Sequence, residues 1–247
     1  MPLNNKVIIV TGAGRGLGRA FAQKCAAEGA KVCIAELLPD IGQATANAIG
    51  EQAMFVQTDI ANWASVRAMA DRVAATWGGI DGLVNNAGIA TGVGGKRFDD
   101  VDPDAFLRVL DVNVRGTWQA CKAVYPHLKT RGGGSIVNLA SDTALWGAPA
   151  LLHYVASKGA IISMTRSLAR EMGPDNVAVN AIAPGLTRVE VTELVPRERH
   201  ELYEDGRAMS RPQFPDDVTG AVAFLLSDDA RFITGQLLPV NGGFVFN

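Results

Sequence analysis

The fold is decided by the stretch KVIIVTGAGRGLGRA (Lys6–Ala20). Its first half is a short, β-branched apolar run, which is typical of a buried strand, and its second half begins a helical pattern. The glycine-rich turn TGAGRGLG (Thr11–Gly18) joins the two. The glycine spacing is G-x-x-x-G-x-G, because Arg19 stands where the G-x-G-x-x-G frame would need its third glycine.

This glycine turn suits an anionic ligand. A helix N-terminus presents unpaired N–H groups and a partial positive charge, and both favour a diphosphate. We expect Gly12 to permit the tight turn, Gly16 to let the backbone approach the ligand, and Gly18 to let the helix pack close to the strand. A plain tight turn would also use glycine, so the turn alone does not identify a nucleotide site.

A carboxylate at the end of the second strand favours one dinucleotide over another. Glu36 lies about 20 residues beyond the turn, where an acidic residue accepts hydrogen bonds from the adenosine ribose hydroxyls. The same carboxylate would repel a 2′-phosphate, which predicts NAD rather than NADP. Arg15, in the turn, is a cation that could bind such a phosphate, but Leu37, Leu38 and Pro39 follow Glu36 and add no further positive charge.

Short apolar runs alternate with helical patterns along the whole chain. The alternation predicts parallel crossovers, and hence a single doubly wound α/β domain over residues 1–247, with a mostly parallel sheet of about seven strands and helices on both faces. Residues 186–214 are rich in charges and prolines and are predicted to form a partly helical lid insertion. The predicted helices include Leu17–Glu28, Asp40–Ile49, Ala64–Trp77, Pro103–Leu128 and Asp216–Ser227.

Composition excludes several classes of function. A formal net charge of −2 over 247 residues gives no electrostatic footprint for nucleic acid or an acidic membrane surface. No apolar stretch approaches the roughly 20 residues that span a bilayer, and the N-terminus lacks a signal-peptide pattern. The dispersed Cys25, Cys33 and Cys121 predict free thiols in a reducing, cytoplasmic compartment, and neither they nor the histidines have metal-ligand spacing, so no metal is expected.

Several further motifs follow the glycine turn in a specific order. They are NNAG (Asn85–Gly88), Asn113 in DVNVRG, Ser141 in NLASDTA, Tyr154 and Lys158 in YVASK, and APG (Ala183–Gly185). Each motif alone is common. Together, and over essentially the full length, they make the chain resemble a short-chain dehydrogenase/reductase of the compact, single-domain type.

The resemblance implies an oxidoreductase that interconverts a secondary alcohol and its ketone by hydride transfer. It implies that Tyr154 is the acid/base, that Ser141 holds the substrate oxygen, and that Lys158 bridges the nicotinamide ribose hydroxyls. It also implies that Asn113 holds a water that leads protons from Lys158 to solvent. Other interpretations of these residues are a helix cap for Ser141, a plain buried amide for Asn113, and an exposed i,i+4 pair for Tyr154 and Lys158.

The spacing of Tyr154 and Lys158 has a chemical reason within this scheme. Free tyrosine has a pKa of about 10, so it is a poor base near neutrality. Two unit charges ~4 Å apart at an effective dielectric constant of ~20 interact by ~4 kcal/mol, which corresponds to about three pKa units. We therefore expect Lys158, together with the positive charge of the oxidised nicotinamide, to lower the pKa of Tyr154.

The resemblance also places the cofactor. Asp59 and Ile60 would flank the adenine, with the Asp59 carboxylate accepting from its amino group; a helix N-cap is the other interpretation of Asp59. The family often has a threonine where this chain has Val189, so Thr187 is predicted to take its place at the carboxamide. The predicted NAD contacts are Gly12, Arg15, Gly16, Leu17, Gly18, Glu36, Asp59, Ile60, Asn86, Ala87, Gly88, Tyr154, Lys158, Pro184, Gly185 and Thr187.

The substrate is expected to be a small, hydrophobic alcohol or ketone, cyclic or aromatic. The predicted contacts are Ser141, Trp146, Tyr154 and Leu186, and the neighbouring segments are mostly apolar, although ordinary core packing would give the same pattern. Two alternatives are an NADPH-dependent 3-oxoacyl-thioester reductase, which Glu36 disfavours, and a non-catalytic dinucleotide sensor, which would normally lack the serine, tyrosine or lysine. The resemblance further suggests a homotetramer.

Overall fold

The computed structural model describes residues 1–246, which form a seven-stranded sheet covered by helices. All neighbouring strands are parallel, in the spatial order three, two, one, four, five, six, seven. The predicted fold class is therefore confirmed. The strands are β1 (Val7–Thr11), β2 (Lys31–Glu36), β3 (Ala53–Gln57), β4 (Gly82–Asn85), β5 (Gly134–Leu139), β6 (Val177–Pro184) and β7 (Leu237–Val240).

The helices connect the parallel strands and lie on both faces of the sheet. Most predicted helices begin and end within a residue or two of the observed bounds. The helices are α1 (Gly16–Ala27), α2 (Pro39–Ile49), α3 (Trp63–Trp77), α4 (Pro103–Leu110), α5 (Thr117–Thr130), α6 (Thr143–Trp146), α7 (Leu152–Met172), α8 (Arg197–Gly206) and α9 (Asp216–Leu226).

Successive residues of each strand point to opposite faces, and both faces are buried. Ile8 and Val10 belong to a core formed with α1, α2 and α9. Val7 and Ile9 belong to a second core formed with α3, α5 and α7. Burial of each such side chain contributes about 1.5–3 kcal/mol, which explains why the strands are continuously apolar rather than alternating.

The strand order reverses direction at β1, which pairs with β2 on one side and β4 on the other. In open parallel sheets, ligands bind in the crevice outside the carboxyl ends of the strands at this switch point. The glycine turn follows β1, and the NNAG motif begins at the end of β4. The topology thus brings two sequence motifs that are distant in the chain to one crevice.

One predicted helix is interrupted. The sequence predicts continuous helix over Pro103–Leu128, but Asp111–Gly116 forms a π-helical turn between α4 and α5. Such turns occur where a side chain or a function requires an extra residue in the helix, and they have no periodicity signal in the sequence. Asn113, one of the predicted site residues, lies within the turn.

The remaining features concern the lid segment, the cysteines and membrane spanning. Residues 186–214 contain a 3₁₀ turn and α8.

Cys25, Cys33 and Cys121 are buried and form no disulfide. Burial raises the pKa of Cys25 and Cys121 to about 12, so these two thiols stay protonated. Among residues 1–246, no helix is long and apolar enough to cross a bilayer.

Close packing of α1 against the glycine turn makes a testable prediction. A Cβ on Gly18 would lie 2.1 Å from the Gly12 carbonyl oxygen and 2.4 Å from Asn86 Nδ2. Gly18→Ala should therefore reduce the free energy of unfolding by about 1–3 kcal/mol, measured by urea denaturation. Gly220→Ala is the matched control, because Gly220 lies in α9 with nothing within 4 Å of its Cβ position. It should be neutral or stabilising by about 0.5–1 kcal/mol; equal losses in both variants would contradict the prediction.

Candidate active site

Three predicted catalytic side chains converge at the carboxyl end of β5. Ser141 lies just beyond the strand, and Tyr154 and Lys158 lie on the first turns of α7. The Ser141 hydroxyl lies close enough to the Tyr154 phenol to lower its pKa. Lys158 Nζ donates to the carbonyl oxygen of Leu139 at 2.6 Å and lies 5.6 Å from the centroid of the Tyr154 ring. Lys158 is buried, so the interpretation of an exposed pair is wrong.

Burial controls the protonation of this pair. It raises the pKa of Tyr154 to about 12 and lowers that of Lys158 to about 8. The nearby Ser141 hydroxyl lowers the Tyr154 pKa by less than burial raises it, and the negative charge of Asp142 raises it further. The expected lowering of the Tyr154 pKa therefore does not occur in the protein alone, because desolvation of the phenolate dominates. Lys158 remains charged at pH 7.

The Ser141 hydroxyl belongs to a local turn as well as to the group formed with Tyr154 and Lys158. Its Oγ accepts hydrogen bonds from the Thr143 backbone N–H at 3.3 Å and from the Thr143 hydroxyl at 2.9 Å. These bonds close a local turn before α6, whose N-cap is Asp142 and not Ser141. Two donors fix Oγ in place, and its own proton remains available for a hydrogen bond toward Tyr154 or a substrate oxygen.

Asn113 joins three elements around the π-helical turn. Its Oδ1 accepts from the Ile89 N–H at 2.7 Å, and its Nδ2 donates to the Ile89 carbonyl at 3.1 Å and to Ser157 Oγ at 3.0 Å. Ser157 in turn donates to the Tyr154 carbonyl at 2.7 Å. The side chain is a fully satisfied buried amide, which is the simpler of the two predicted interpretations. Through Ser157 it also positions the helical turn that carries Tyr154.

The glycine turn forms an open cradle at the start of α1. Gly12 and Gly16 have φ of +61° and +56°, a conformation that favours glycine. Asn86 Nδ2 donates to the Thr11 and Gly12 carbonyls at 3.0 Å, and the Cβ position of Gly12 lies 2.8 Å from Ala87 Cα. The exposed Arg15 is the N-cap of α1 but makes no side-chain capping bond. The helix N-terminus is therefore not capped by its own N-cap residue.

Glu36 is held at the edge of this cradle by backbone N–H groups. Its Oε2 accepts from Gly14 at 3.0 Å, and its Oε1 accepts from Leu37 and Leu38 at 2.9 and 3.2 Å. The residue is 8% exposed. A carboxylate has about four lone-pair sites, so three accepted bonds still leave one for a ligand hydroxyl.

Asp59 and Ile60 follow β3, beside Glu36. The Asp59 carboxylate accepts from the Ala61 N–H at 2.9 Å, which closes a local turn. Asn62, not Asp59, caps α3, because its Oδ1 accepts from the Ser65 N–H. The predicted alternative of Asp59 as a helix cap is thus wrong. Ile60 is buried, and its carbonyl accepts from Gln119.

The segment after β6 lies close to the Ser141 loop. The Pro184 carbonyl accepts from the Asp142 N–H at 3.2 Å. The Thr187 hydroxyl donates to the Gly185 carbonyl at 3.1 Å, and Thr187 is 3% exposed. Gly88, on the opposite side, lies against Asn113, whose Oδ1 is 3.0 Å from the Gly88 Cβ position. Thr187 as a cofactor contact stays a prediction, with its hydroxyl already used in a local turn.

Two predicted substrate contacts pack against the lid segment. Trp146 Nε1 donates to Tyr203 Oη at 3.2 Å, and the Trp146 ring packs edge-on against Phe244 at 5.6 Å. The Leu186 carbonyl accepts from Arg207. Trp146 is half-buried, so part of its surface remains available to a ligand.

Sequence reasoning missed a second carboxylate beside the cradle. Glu190, in the lid segment, accepts from the Gly16 N–H at 3.2 Å and forms an ion pair with Arg19. A carboxylate thus lies at the helix N-terminus where a diphosphate would bind. Only the tertiary fold brings residue 190 next to residue 16, so no local signal could have revealed it.

A buried amide network was also missed. Asn85 Nδ2 donates to Asn138 Oδ1 at 2.9 Å, and Asn138 Nδ2 donates to the Thr165 hydroxyl at the same distance. The three residues belong to β4, β5 and α7 and are all buried. Asparagine is depleted in buried strands, so Asn138 in IVNLAS was the available signal.

Comparison with known proteins supports a common family. The family model described as enoyl-(acyl carrier protein) reductase matches residues 12–245. A meso-2,3-butanediol dehydrogenase of Serratia marcescens is 37% identical over 98% of this chain and 96% of its own length. A 3-alpha-(or 20-beta)-hydroxysteroid dehydrogenase of Mycobacterium tuberculosis is 35% identical over 98% of this chain and 90% of its own.

A solved structure agrees with this fold over the whole chain. The 3-ketoacyl-(acyl-carrier-protein) reductase from Brucella melitensis, crystallised in complex with NADH, superposes with a TM-score of 0.92. It is 35% identical and matches 99% of this chain and 100% of its own. The relatives share one architecture and carry names for different substrates.

Proposed function

This chain belongs to the short-chain dehydrogenase/reductase family, and on that premise we propose that it interconverts a hydrophobic secondary alcohol and its ketone with NAD. The observation that carries the proposal is the clustering of the Ser141 hydroxyl, the Tyr154 phenol and the buried Lys158 ammonium, which lies 5.6 Å from the centroid of the phenol ring. A bound nicotinamide ring would supply the hydride acceptor or donor. Hydride transfer does not move the hydroxyl proton of the alcohol, so a separate group must carry it. The phenol of Tyr154 can accept and donate this proton.

The residues of the crevice fit a dinucleotide. Gly12 and Gly16 adopt positive φ, and the α1 N-terminus has no side-chain cap of its own. A side chain at either glycine would be strained, so the backbone is shaped to let a ligand approach closely. Arg15 is exposed beside this N-terminus, where its charge would favour a diphosphate.

In the oxidation direction, the Tyr154 oxygen accepts the proton of the alcohol hydroxyl. The Ser141 hydroxyl donates to the same substrate oxygen and stabilises the negative charge that develops there. Lys158 is charged below about pH 8 and favours the phenolate, and it would also hold the nicotinamide ribose. Because burial raises the pKa of Tyr154 to about 12, Lys158 alone is insufficient, and a bound oxidised nicotinamide would add a second positive charge that favours the phenolate.

We propose NAD as the preferred cofactor because Glu36 lies beside Gly14 at the adenosine end of the crevice. Its carboxylate would accept from a ribose hydroxyl and repel a 2′-phosphate. This argument also disfavours the alternative of an NADPH-dependent 3-oxoacyl-thioester reductase. The alternative of a non-catalytic sensor is disfavoured because Ser141, Tyr154 and Lys158 are all present.

The hydrophobic substrate class rests on the apolar residues around the Ser141 loop. Leu152 and Met209 keep 44% and 63% of their surface exposed, and Trp146 is half-buried between this loop and α8. Apolar surface left exposed around a site favours an apolar ligand. The relatives are named for a butanediol, a hydroxysteroid and an acyl thioester, so family membership does not choose among these classes.

Assembly and location complete the proposal. Leu107 and Trp118 are 61% and 43% exposed and line an apolar groove between α4, α5 and α7. Burial of this groove against a second copy would favour the proposed homotetramer. The cytoplasmic location is proposed from three buried cysteines that form no disulfide.

The proton-transfer role is tested with a matched pair of tyrosine variants. Tyr154→Phe should lower kcat for NAD reduction by at least about 100-fold, because the phenol oxygen is lost. The binding of NADH, followed by its fluorescence, should be nearly unchanged. Tyr125→Phe is the control, since Tyr125 lies on α5 and its hydroxyl is hydrogen-bonded to Asp175 rather than to the Ser141 loop. Assays would use cyclohexanol, 1-phenylethanol and aliphatic secondary alcohols; a Tyr154→Phe protein with normal kcat would refute the role.

Cofactor preference is tested with two carboxylate variants. The wild-type protein should bind NADH at least about ten-fold more tightly than NADPH, and Glu36→Gln should reduce that ratio by removing the charge near the 2′ position. Glu190→Gln should instead tighten both dinucleotides to the same extent, because Glu190 lies at the α1 N-terminus. Dissociation constants from fluorescence titration give the ratios. A ratio that Glu36→Gln leaves unchanged would contradict the assignment.

A further inference from the structure

Asp142 is a buried carboxyl group that the proposed reaction does not use. It follows Ser141 directly and is 0% exposed. Its Oδ1 accepts from Tyr203 Oη at 2.8 Å, whereas Oδ2 has no hydrogen-bond partner of normal geometry among the described residues, although Asn241 and the Thr143 N–H lie near enough to lower the pKa of the carboxyl group. A buried carboxyl group with one unpartnered oxygen is costly, so its presence at this position calls for a physical reason.

Tyr203 links this carboxyl group to the lid segment. It lies on α8, is 2% exposed, and accepts from Trp146 Nε1 at 3.2 Å while donating to Asp142. Its ring stacks on Phe244 with centroids 4.3 Å apart. Asp142 and Trp146 both belong to the loop and short helix that follow Ser141. The hydroxyl of one tyrosine therefore attaches α8 to the loop of the catalytic serine by two directional bonds.

Within residues 1–246, no cation forms an ion pair with Asp142. The ionisable groups that face it are Tyr203 and Arg207 from the α8 side and Tyr154 from α7. Arg207 forms no ion pair with it, because the guanidinium donates to the carbonyl oxygens of Asn241, Arg211 and Leu186 and to the side chain of Gln213.

The protonation of Asp142 is therefore finely balanced. Burial raises its pKa to about 7, although the Tyr203 hydrogen bond and the Arg207 charge act in the other direction. When ionised, Asp142 raises the pKa of Tyr154. A change in the charge of Asp142 near neutral pH would thus change the pKa of Tyr154, the proposed proton carrier.

We propose that Asp142 is a positioning residue that fastens α8 to the Ser141 loop through Tyr203 and whose charge opposes ionisation of Tyr154. The proposal rests on the proposed function, in which Tyr154 carries the proton. It assigns two separable tasks to one carboxyl group. The hydrogen bond closes the lid segment over the substrate, and the charge sets the pH range of turnover.

Asp142→Asn tests the charge while keeping a hydrogen-bond acceptor for Tyr203. Without the negative charge, Tyr154 ionises more readily, so the rising limb of kcat for cyclohexanol or 1-phenylethanol oxidation with NAD should move at least about half a pH unit lower. At a fixed pH on that limb, kcat should rise about three-fold, with little change in KM. A profile that superposes on the wild type would overturn the assignment of the charge.

Tyr203→Phe is the matched variant, because it removes the hydroxyl and keeps the ring stacked on Phe244. Loss of the Tyr203 hydrogen bond raises the pKa of Asp142 but does not remove the carboxyl group, so the midpoint of the rising limb of kcat should shift by less than in Asp142→Asn. KM for the alcohol should rise several-fold, since α8 loses its bond to the Ser141 loop. An unchanged KM would overturn the role of Asp142 in fastening α8 to the Ser141 loop. A shift of the rising limb of kcat equal to that of Asp142→Asn would show that the hydrogen bond and the charge are not separate tasks.

Unfolding supplies a readout that needs no turnover. A buried acid with a raised pKa stabilises the fold in its neutral form, and this stability is lost as pH rises from about 4 to about 7. The urea midpoint of the wild type should therefore fall relative to Asp142→Asn over this range. If the difference between the two urea midpoints were the same at every pH in this range, Asp142 would not titrate there. That result would overturn the role assigned to its charge.

The outcomes also separate this proposal from the proposed function. If Tyr154→Phe is inactive and the Asp142→Asn profile is unshifted, only the role of the Asp142 charge fails. If Tyr154→Phe is fully active, the proposed function fails and the acid–base half of the Asp142 proposal fails with it. The fastening role is then judged by the KM of Tyr203→Phe alone.

Discussion

The candidate site depends on the burial of an ammonium group at the edge of a parallel sheet. Lys158 Nζ lies in the interior and donates to the Leu139 carbonyl at 2.6 Å. A buried charge is costly unless it is hydrogen-bonded, and here the acceptor is the last residue of β5. This bond fixes α7 against the strand that leads to Ser141. Burial makes this hydrogen bond necessary for the Lys158 ammonium group. Burial also raises the pKa of Tyr154 and keeps its phenol protonated.

The carboxyl edge of the sheet gathers the other groups. The glycine turn follows β1, Glu36 ends β2, the NNAG motif begins at the end of β4, Ser141 follows β5, and Pro184 ends β6. Two carboxylates, Glu36 and Glu190, lie beside the glycine turn. Glu36 is held by backbone N–H groups, and Glu190 accepts from the Gly16 N–H at the α1 N-terminus. Binding of a diphosphate there would have to displace a like charge, which couples the lid segment to the cofactor.

Much of this arrangement was predictable from the sequence, because it depends on local pattern. Apolar runs located the strands, and the glycine turn located the α1 N-terminus. The π-helical turn at Asp111–Gly116 was not predictable, since it arises from a tertiary requirement at Asn113. The contacts of Asp142 with Tyr203 and of Glu190 with Gly16 were missed for the same reason. The raised pKa of Tyr154 in the protein alone was also not predicted, because proximity in a helix predicts attraction to Lys158 but not the cost of desolvation.

The central claim is that the positive charge of bound NAD, added to that of Lys158, would lower the pKa of Tyr154 and so make its oxygen a better proton acceptor. The most direct test is the ultraviolet absorbance of tyrosinate after rapid pH jumps, taken as the difference between the wild type and Tyr154→Phe. Without NAD, Tyr154 should ionise with a pKa of about 12. With saturating NAD, the pKa should fall by at least about one unit. A pKa that is the same with and without NAD would contradict the account.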